Sequence, residues 1–487
     1  VADLGVGGVL VGMGPPLEIA ARLNTLQSLA AVPLLVGADL EHGPGRILQG
    51  GVVLPYLLEN GGGTRFPPLM GVAATGDEAF ARELGRITAI ESRAVGIHVA
   101  FAPVADVNSN PRNPIINTRS YGADPRVVAR FVAAHVRGLQ DHGMIATAKH
   151  FPGHGDTSSD SHLVLPFVAA GEARLQEVEL VPFRAAVDAG VMAIMSGHIA
   201  FPAITGDDLP ATVHPQLLRR LLRDGLGFDG LVFSDALDMG AIARQWGSAR
   251  AAVMALNAGI DVVVQMPPED VASCVDAIAR AVEDGTLDAA RLDEAVLRVL
   301  RAKQHLGLFG GAAVSLRAVS ASVGVPAHTR VAAEAADRAV VLLRDTAGVL
   351  PLGSKRVLVV IHTEAFDPLA GSAFVTALQQ SGCQADVLRV DASVRDVAGV
   401  LRRRAADADV VLLASFTRVA PGVDAVAVDD ELVRAANDVA RERTLAVVSF
   451  GSPYAVAHFP DAACHVVAWA GWEPMQGAAA RVLAGRV

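Results

Sequence analysis

The chain has 487 residues, of which 52% are hydrophobic and 19% charged, so it is long enough for more than one domain with a large buried core. Its formal net charge of −10 argues against a nucleic-acid partner, because phosphate binding requires a basic surface. The three cysteines lack metal-ligand spacing, which predicts buried thiols and neither a disulfide framework nor a metal site.

The first 265 residues alternate between short apolar runs and helix-length segments. The apolar runs, which we predict to be strands, lie at 6–11, 33–38, 97–104, 144–148, 193–195, 230–233 and 261–264. The predicted helices lie at 76–95, 125–142, 175–189, 215–224 and 248–258. Apolar strands separated by amphipathic helices favour a parallel sheet covered on both faces, and their number is typical of a TIM-type (β/α)8 barrel. An eighth strand is not evident. No apolar run reaches the roughly 18 residues that span a bilayer.

A second α/β region follows the barrel. A helix at 292–307 ends the first region, and the aperiodic segment 310–326 is interpreted as a linker. Strands are then predicted at 340–343, 357–361, 385–390, 410–414, 445–449 and 465–469, and helices at 370–380, 394–405 and 431–441. This pattern predicts a second parallel layer, arranged as a doubly wound α/β sandwich without a nucleotide-binding loop, so no cofactor is expected. The predicted domains are therefore a barrel at 1–309 and a sandwich at 327–487. Whether the chain is truncated at either end is left open.

Polar residues stand where several predicted barrel strands end. They are Asp39, Asp106, the pair Lys149 and His150, His198 and Asp235. Each could merely cap the helix that follows it. However, the carboxyl ends of the strands carry the active site in TIM barrels, so several polar strand ends together favour a site.

The segment 149–162, with the sequence KHFPGHGDTSSDSH, concentrates three histidines, two aspartates and a lysine. Its proline and glycines predict an irregular loop over the barrel mouth. Asp160 precedes His162 by two positions, so its carboxylate can reach the imidazole and favour the charged form. Such a pair can act as an acid/base near neutral pH. Two alternatives remain open, a divalent metal site and a purely structural loop.

Further short motifs accompany this loop, in the order ADLEHG at 38–43, APVADVN at 102–108, NTRSYG at 117–122, SGHI at 196–199 and FSDALDM at 233–239. Together with the loop they resemble glycoside hydrolase family 3, in its β-N-acetylglucosaminidase branch. The resemblance covers essentially the whole barrel. It implies a retaining β-N-acetylhexosaminidase that hydrolyses terminal β-linked N-acetylglucosamine through a covalent glycosyl-aspartate intermediate.

The resemblance also assigns roles to individual residues. Asp235 matches the nucleophile, and Asp160 with His162 matches the acid/base dyad. The residues expected to bind the sugar are Asp39, Arg119, Lys149, His150 and His198. The chain departs from many relatives at 41–46, which has the sequence EHGPGR. Many relatives carry two adjacent glycines directly before the arginine, whereas here a proline stands between the two glycines. Arg46 is kept among the expected substrate-binding residues.

The chemistry of the residues agrees with these roles. A retaining glycosidase needs a nucleophilic carboxylate on one face of the anomeric carbon and a proton donor on the other. Asp235 ends a predicted buried strand, which can place it accurately, whereas a loop histidine can donate and later accept a proton. Asp238, in the turn after that strand, is the alternative nucleophile. Asp106 and Asn108 are expected to brace their own loop.

Other functions stay open at this stage. An N-acetylglucosaminide phosphorylase or a β-glucosidase of the same family would use a similar barrel. A non-catalytic sugar-binding barrel is disfavoured because Asp235, His162 and Asp160 are all present. The expected partner is an N-acetylglucosamine-containing glycan, such as a cell-wall fragment or a chitooligosaccharide, with no metal. Monomer and homodimer are both allowed, and the location in a bacterial cytoplasm or envelope is undetermined.

Overall fold

The computed structural model describes residues 1–53, 58–60, 62–265, 267–364, 367, 369–417 and 428–486. The chain forms two compact units. Unit 1 comprises Val1–Arg65 and Asp77–Thr329, and unit 2 comprises Phe66–Gly76 and Arg330–Val487. The inclusion of the short segment Phe66–Gly76 in unit 2 was not indicated by the sequence. The segment 310–326, interpreted as a linker, lies entirely in unit 1 and contains the helix Leu316–Ser322.

Unit 1 is built on a seven-stranded sheet in which every neighbouring pair is parallel and the strands follow one another in chain order. Its strands are β1 (Gly8–Leu10), β2 (Leu35–Ala38), β5 (Val99–Ala100), β6 (Ile145–Phe151), β7 (Ala193–Ser196), β8 (Leu231–Ala236) and β9 (Val262–Val264). A separate antiparallel pair is formed by β3 (Gly51–Val53) and β4 (Leu58–Asn60). The seven predicted strands and the TIM-type architecture are confirmed. Within the described residues no eighth strand joins this sheet.

The strands of unit 1 are apolar because they are covered on both faces. Side chains of the sheet, including Val99, Phe101, Met195 and Phe233, form one buried cluster. Phe101 and Phe233 pack edge to face, with ring centroids 5.5 Å apart. Beneath the sheet, at the start of β9, buried Asp261 accepts hydrogen bonds from Arg223 and Arg291 at 2.7 Å each.

Some helices of unit 1 begin at a capping aspartate. Asp77 accepts from the backbone N–H of Ala79 at the start of one helix, and Asp124 caps another in the same way. The helices are α1 (Pro16–Leu29), α3 (Glu78–Ala94), α4 (Pro125–Gln140), α5 (Glu172–Arg174), α6 (Leu180–Asp188), α7 (Pro202–Thr205), α8 (Gly240–Trp246), α9 (Ser248–Ala258), α10 (Pro268–Glu283), α11 (Ala289–His305) and α12 (Leu316–Ser322). The predicted helix at 215–224 is π-helical, over Gln216–Gly225. Gly138 lets α3 and α4 approach closely, since a Cβ there would lie 2.1 Å from the carbonyl oxygen of Arg82.

Unit 2 contains a six-stranded sheet in the order β10-β15-β14-β13-β11-β12. Its strands are β10 (Val341–Asp345), β11 (Arg356–Thr363), β12 (Gln384–Val390), β13 (Val410–Phe416), β14 (Leu445–Ser449) and β15 (Cys464–Val467). Its helices are α2 (Leu69–Ala74), α13 (Pro326–Ala339, which begins in unit 1), α14 (Ser372–Gln380), α15 (Val397–Ala405), α16 (Asp430–Ala440) and α17 (Glu473–Leu483). Hydrophobic clusters cover both faces of the sheet, which confirms the predicted sandwich. The expectation of an all-parallel layer is wrong for one edge strand, because β10 pairs antiparallel with β15.

The three cysteines, Cys274, Cys383 and Cys464, are buried and unpaired, as predicted. Among the helices that the structure describes, none combines the length and the apolar character needed to cross a bilayer.

Candidate active site

The segment after β2 and the carboxyl end of β6, two strands that β5 separates in the sheet, bring a lysine against two carboxylates. Lys149, in β6, donates from Nζ to Asp39 Oδ1 at 2.7 Å, and the same nitrogen lies 2.7 Å from Glu41 Oε1. Its side chain is only 3% exposed. Burial by itself would lower the pKa of Lys149, but the two carboxylates raise it above its ordinary value. The lysine is therefore a buried ammonium ion at neutral pH.

Glu41 is the centre of this charged network, although sequence reasoning did not single it out. Arg119 forms a forked pair with it, donating from Nε to Oε2 at 2.9 Å and from Nη2 to Oε1 at 2.8 Å. Glu41 is completely buried. Burial raises the pKa of Glu41, but Arg119 and Lys149 outweigh it and hold that pKa well below the ordinary value. The only signal in the sequence was its position in the ADLEHG motif, two residues after Asp39.

Arg46 lies at the edge of the network. Its Nη1 is 4.0 Å from Glu41 Oε2, and its side chain is 38% exposed. A contact of that length and exposure is weak, so Glu41 holds Arg46 much less firmly than it holds Arg119.

His150 is oriented by a buried carboxylate. Its Nδ1 lies 2.7 Å from Asp106 Oδ2, and Asp106 Oδ1 also accepts from the backbone N–H of His154 at 2.6 Å. Asp106 is completely buried. A carboxylate at Nδ1 favours the proton on that nitrogen, which leaves Nε2 of His150 available to a ligand. The Asp106 carboxylate thus braces His150 and the loop after β6, whereas in its own segment the Asp106 carbonyl oxygen accepts from Ser120 Oγ at 2.6 Å.

The predicted dyad is present in the structure. His162 Nδ1 lies 2.8 Å from Asp160 Oδ1, and the same oxygen accepts from the backbone N–H of His162 at 2.9 Å. Asp160 is completely buried, whereas the imidazole is 35% exposed. One carboxylate oxygen therefore holds both the backbone and the ring of His162.

The third histidine of the loop has a structural role. His154 bonds through Nδ1 to Thr157 Oγ1 at 2.7 Å and through Nε2 to Ser161 Oγ at 3.0 Å. Burial lowers its pKa to about 4, so the ring is neutral at physiological pH. Each of the three imidazoles thus has its own partner. In the described part of the chain, no three His, Cys, Asp or Glu side chains gather as metal ligands would.

Asp235 lies at the end of β8, where its Oδ1 accepts from the backbone N–H of Ala236 at 2.9 Å. Burial raises the pKa of Asp235. The charges of His150 and His198, with that hydrogen bond, outweigh burial and leave the pKa below its ordinary value. Asp235 is therefore ionised at neutral pH, as a nucleophile must be. Asp238 lies beyond the strand, in the turn before α8.

His198 uses both ring nitrogens within the protein. Nε2 donates to the carbonyl oxygen of Ala236 at 2.9 Å, and Nδ1 lies 2.8 Å from Thr212 Oγ1. Burial lowers the pKa of His198, against the opposing charge of Asp235. The charges of His162 and His150 also act on this ring, so His198 lies within the electrostatic reach of Asp235, the dyad and the β6 strand end. Its observed contacts brace the end of β8.

Comparison with known proteins gives a consistent assignment. The model of the "Glycosyl hydrolase family 3 N terminal domain" matches residues 1–302. A relative from Cellulomonas fimi, named beta-N-acetylglucosaminidase/beta-glucosidase, is 35% identical over 389 residues, covering 77% of this chain and 66% of the relative. The chain thus spans slightly less than two thirds of that relative's length.

Solved structures agree over nearly the whole chain. A glycoside hydrolase family 3 beta-N-acetylglucosaminidase from Paenibacillus sp. str. FPU-7 is similar with a TM-score of 0.88 and 32% identity, covering 100% of this chain and 92% of that one. A structure named beta-glucoside phosphorylase BglX has a TM-score of 0.87 and 25% identity, covering 99% of this chain and 87% of that one. The family model, these similarities and the motifs at the strand ends lead to one conclusion: the chain belongs to glycosyl hydrolase family 3.

Proposed function

We propose that this protein is a retaining β-N-acetylhexosaminidase that removes terminal β-linked N-acetylglucosamine from glycans. The observation that carries the proposal is that unit 1 holds both an ionised Asp235 at the end of β8 and a His162–Asp160 contact on the loop after β6. These are the two functional groups that a retaining glycosidase requires. The names of the Cellulomonas and Paenibacillus relatives support N-acetylglucosamine as the sugar.

The first half-reaction forms a glycosyl-enzyme ester. An Asp235 carboxylate oxygen attacks the anomeric carbon, and the glycosidic carbon–oxygen bond breaks with its electron pair leaving on oxygen. Protonated His162 transfers its outer ring proton to that oxygen, so the leaving group departs as a neutral alcohol. Asp160 compensates the charge of the imidazolium before the transfer and keeps the ring oriented after it.

The second half-reaction returns the enzyme to its starting state. Neutral His162 removes a proton from water, whose oxygen attacks the anomeric carbon and displaces the Asp235 carboxylate. The sugar leaves with its original anomeric configuration, because two inversions have occurred. A histidine suits both steps because its ordinary pKa lies close to neutral pH.

The charged network at the ends of β2 and β6 is proposed to bind the sugar. Asp39, whose side chain is 46% exposed, can accept from hydroxyls, and Lys149 can donate to them. Arg119 is held by Glu41, which leaves further N–H groups for the hydroxyl or N-acetyl region. We propose that His150 and Arg46 also contact substrate and that His198 positions the end of β8.

Covalent trapping tests the proposal most directly. A 5-fluoro N-acetylglucosaminyl fluoride should inactivate the enzyme, and peptide mapping should place the label on Asp235 alone. Asp235→Asn serves as the matched control and should take no label. A label on Asp238 would contradict the assigned nucleophile. Binding of the sugar without label or turnover would instead support a non-catalytic sugar-binding barrel.

A phosphorylase is the second candidate, because one structural neighbour bears that name and because a histidine acid/base adds no negative charge against an incoming phosphate. Turnover of nitrophenyl N-acetylglucosaminide should be compared with and without inorganic phosphate. Hydrolysis predicts a phosphate-independent rate and free N-acetylglucosamine as product. A large phosphate stimulation with a sugar 1-phosphate as product would favour the phosphorylase, whereas faster turnover of the glucoside would favour a β-glucosidase.

A further inference from the structure

The loop that carries the dyad is hydrogen-bonded to the beginning of α8. The carbonyl oxygen of His162 accepts from the backbone N–H of Gly240 at 3.1 Å, and that of Ser161 accepts from Ala241 at 3.2 Å. No side chain caps α8. The first N–H groups of a helix have no partner inside it, so the two loop carbonyls satisfy donors that would otherwise be unpaired.

The contact depends on the absence of a side chain at position 240. A Cβ on Gly240 would lie 2.7 Å from the carbonyl oxygens of both His162 and Leu163. These are backbone atoms and cannot rotate away, so the loop itself would have to move. The φ of Gly240 is not in the left-handed region, so backbone conformation does not explain the glycine. The glycine is therefore required because there is no space for a Cβ at this position.

The same short segment also carries the proposed nucleophile. Asp235 precedes Gly240 by five residues, and the turn between them is held by bonds from Leu237 N to Val264 O at 3.0 Å and from Met239 N to Ala236 O at 3.1 Å. The end of β8 and the start of α8 therefore form one braced piece. Asp235 is part of this segment, and His162 is connected to it by the hydrogen bonds between its loop and α8.

We propose that Gly240 is a positioning residue for the acid/base. Its bare Cα allows the turn at Asp160–His162 to dock on α8, which sets the imidazole at a defined distance from Asp235. The inference rests on the proposed function, because it assumes that His162 transfers the proton. It predicts that a side chain at 240 disturbs proton transfer selectively, while Asp235 and the sugar-binding network remain in place.

The test is Gly240→Ala, assayed on N-acetylglucosaminides with leaving groups of increasing pKa. Alanine is the better helix former, so α8 itself is not weakened. Relative to wild type, kcat/KM should fall about tenfold or more for poor leaving groups. This loss is part of the rate acceleration, roughly 10²–10⁴-fold, that a positioned general acid supplies. For dinitrophenyl glycosides, which leave without protonation, the loss should be small.

Two further comparisons separate positioning from a general structural effect. In a His162→Ala background, Gly240→Ala should cause no additional loss, because both changes act on the same proton transfer. Gly477→Ala, in α17, is the matched control. There the new methyl would meet only the end of the Arg481 side chain at 3.3 Å, and activity should stay at the wild-type level.

If Gly240→Ala fails to fold, Ala241→Pro provides a second variant. It removes the N–H that binds Ser161, at a first-turn position where proline is tolerated, and should give the same dependence on the leaving group. Equal losses on all substrates in either variant, or additive losses with His162→Ala, would overturn the inference. If His162→Ala itself shows no dependence on the leaving group, the proposed function fails instead.

Discussion

Replacing Glu41 with glutamine removes one charge from a buried network with almost no change in shape. The network contains Asp39, Glu41, Lys149 and Arg119, so two negative groups offset two positive ones. Glu41→Gln leaves an excess positive charge in a site where Glu41 is completely buried and Lys149 is 3% exposed. Removing one partner of a buried ion pair costs about 3–5 kcal/mol, and we expect a loss of that size in the free energy of unfolding.

Glu83→Gln is the matched control, because Glu83 also forms a forked pair with an arginine, Arg86, but on the surface of α3. Surface pairs contribute about 1 kcal/mol or less, so its effect should be small. Both variants should be compared by urea denaturation, together with kcat/KM. Arg119 and Lys149 would shift in Glu41→Gln, and a displacement of about 1 Å costs on the order of 10²-fold in rate.

The pH dependence gives a second measure of the same effect. The pKa of Glu41 is lower in the folded protein than the ordinary 4.5, so its stabilising contribution is complete above pH 4.5 and is lost as the pH falls through the lowered pKa. The stability deficit of Glu41→Gln should therefore be constant above pH 4.5 and shrink below it. If Glu41→Gln is no less stable than Glu83→Gln, and equally active, the argument that Glu41 holds Lys149 and Arg119 in place by compensating their buried charges is refuted.

Two further variants test separate parts of unit 1. Burial lowers the pKa of His154 from 6.5 to about 4, so the unfolded chain binds a proton that the folded protein does not, and stability should fall as the pH drops from 6.5 to 4. His154→Gln should reduce that pH slope of the unfolding free energy by up to one proton, and an unchanged slope would show that another group is responsible. Asp261→Asn removes the partner of Arg223 and Arg291 beneath the barrel, and it should cost about 3–5 kcal/mol of stability while kcat/KM stays near wild type. A large loss of kcat/KM in the folded variant would contradict a purely structural role.

Local patterns in the sequence were enough to predict the elements and the dyad. Strands of unit 1 such as β6 and β7 appear as short apolar runs because both of their faces are buried. The helices α3 and α4 follow capping aspartates. Asp160 and His162 are two residues apart, so their contact needs only a turn. The position of Asp235 at a strand end also followed from the periodicity of its own segment.

The sequence by itself therefore determined the order of the elements, the barrel architecture and the contact between Asp160 and His162, the proposed acid/base pair, whose members are close in the chain. The tertiary structure decided the rest. Glu41 and Arg119 are 78 residues apart, and the dyad meets Gly240 only because the loop after β6 folds against the start of α8. Hydrophobic periodicity and capping are local signals that can be recognised in the sequence. The compensation of buried charges around Glu41 and the close approach of a loop to Gly240 instead depend on which distant segments the fold brings together.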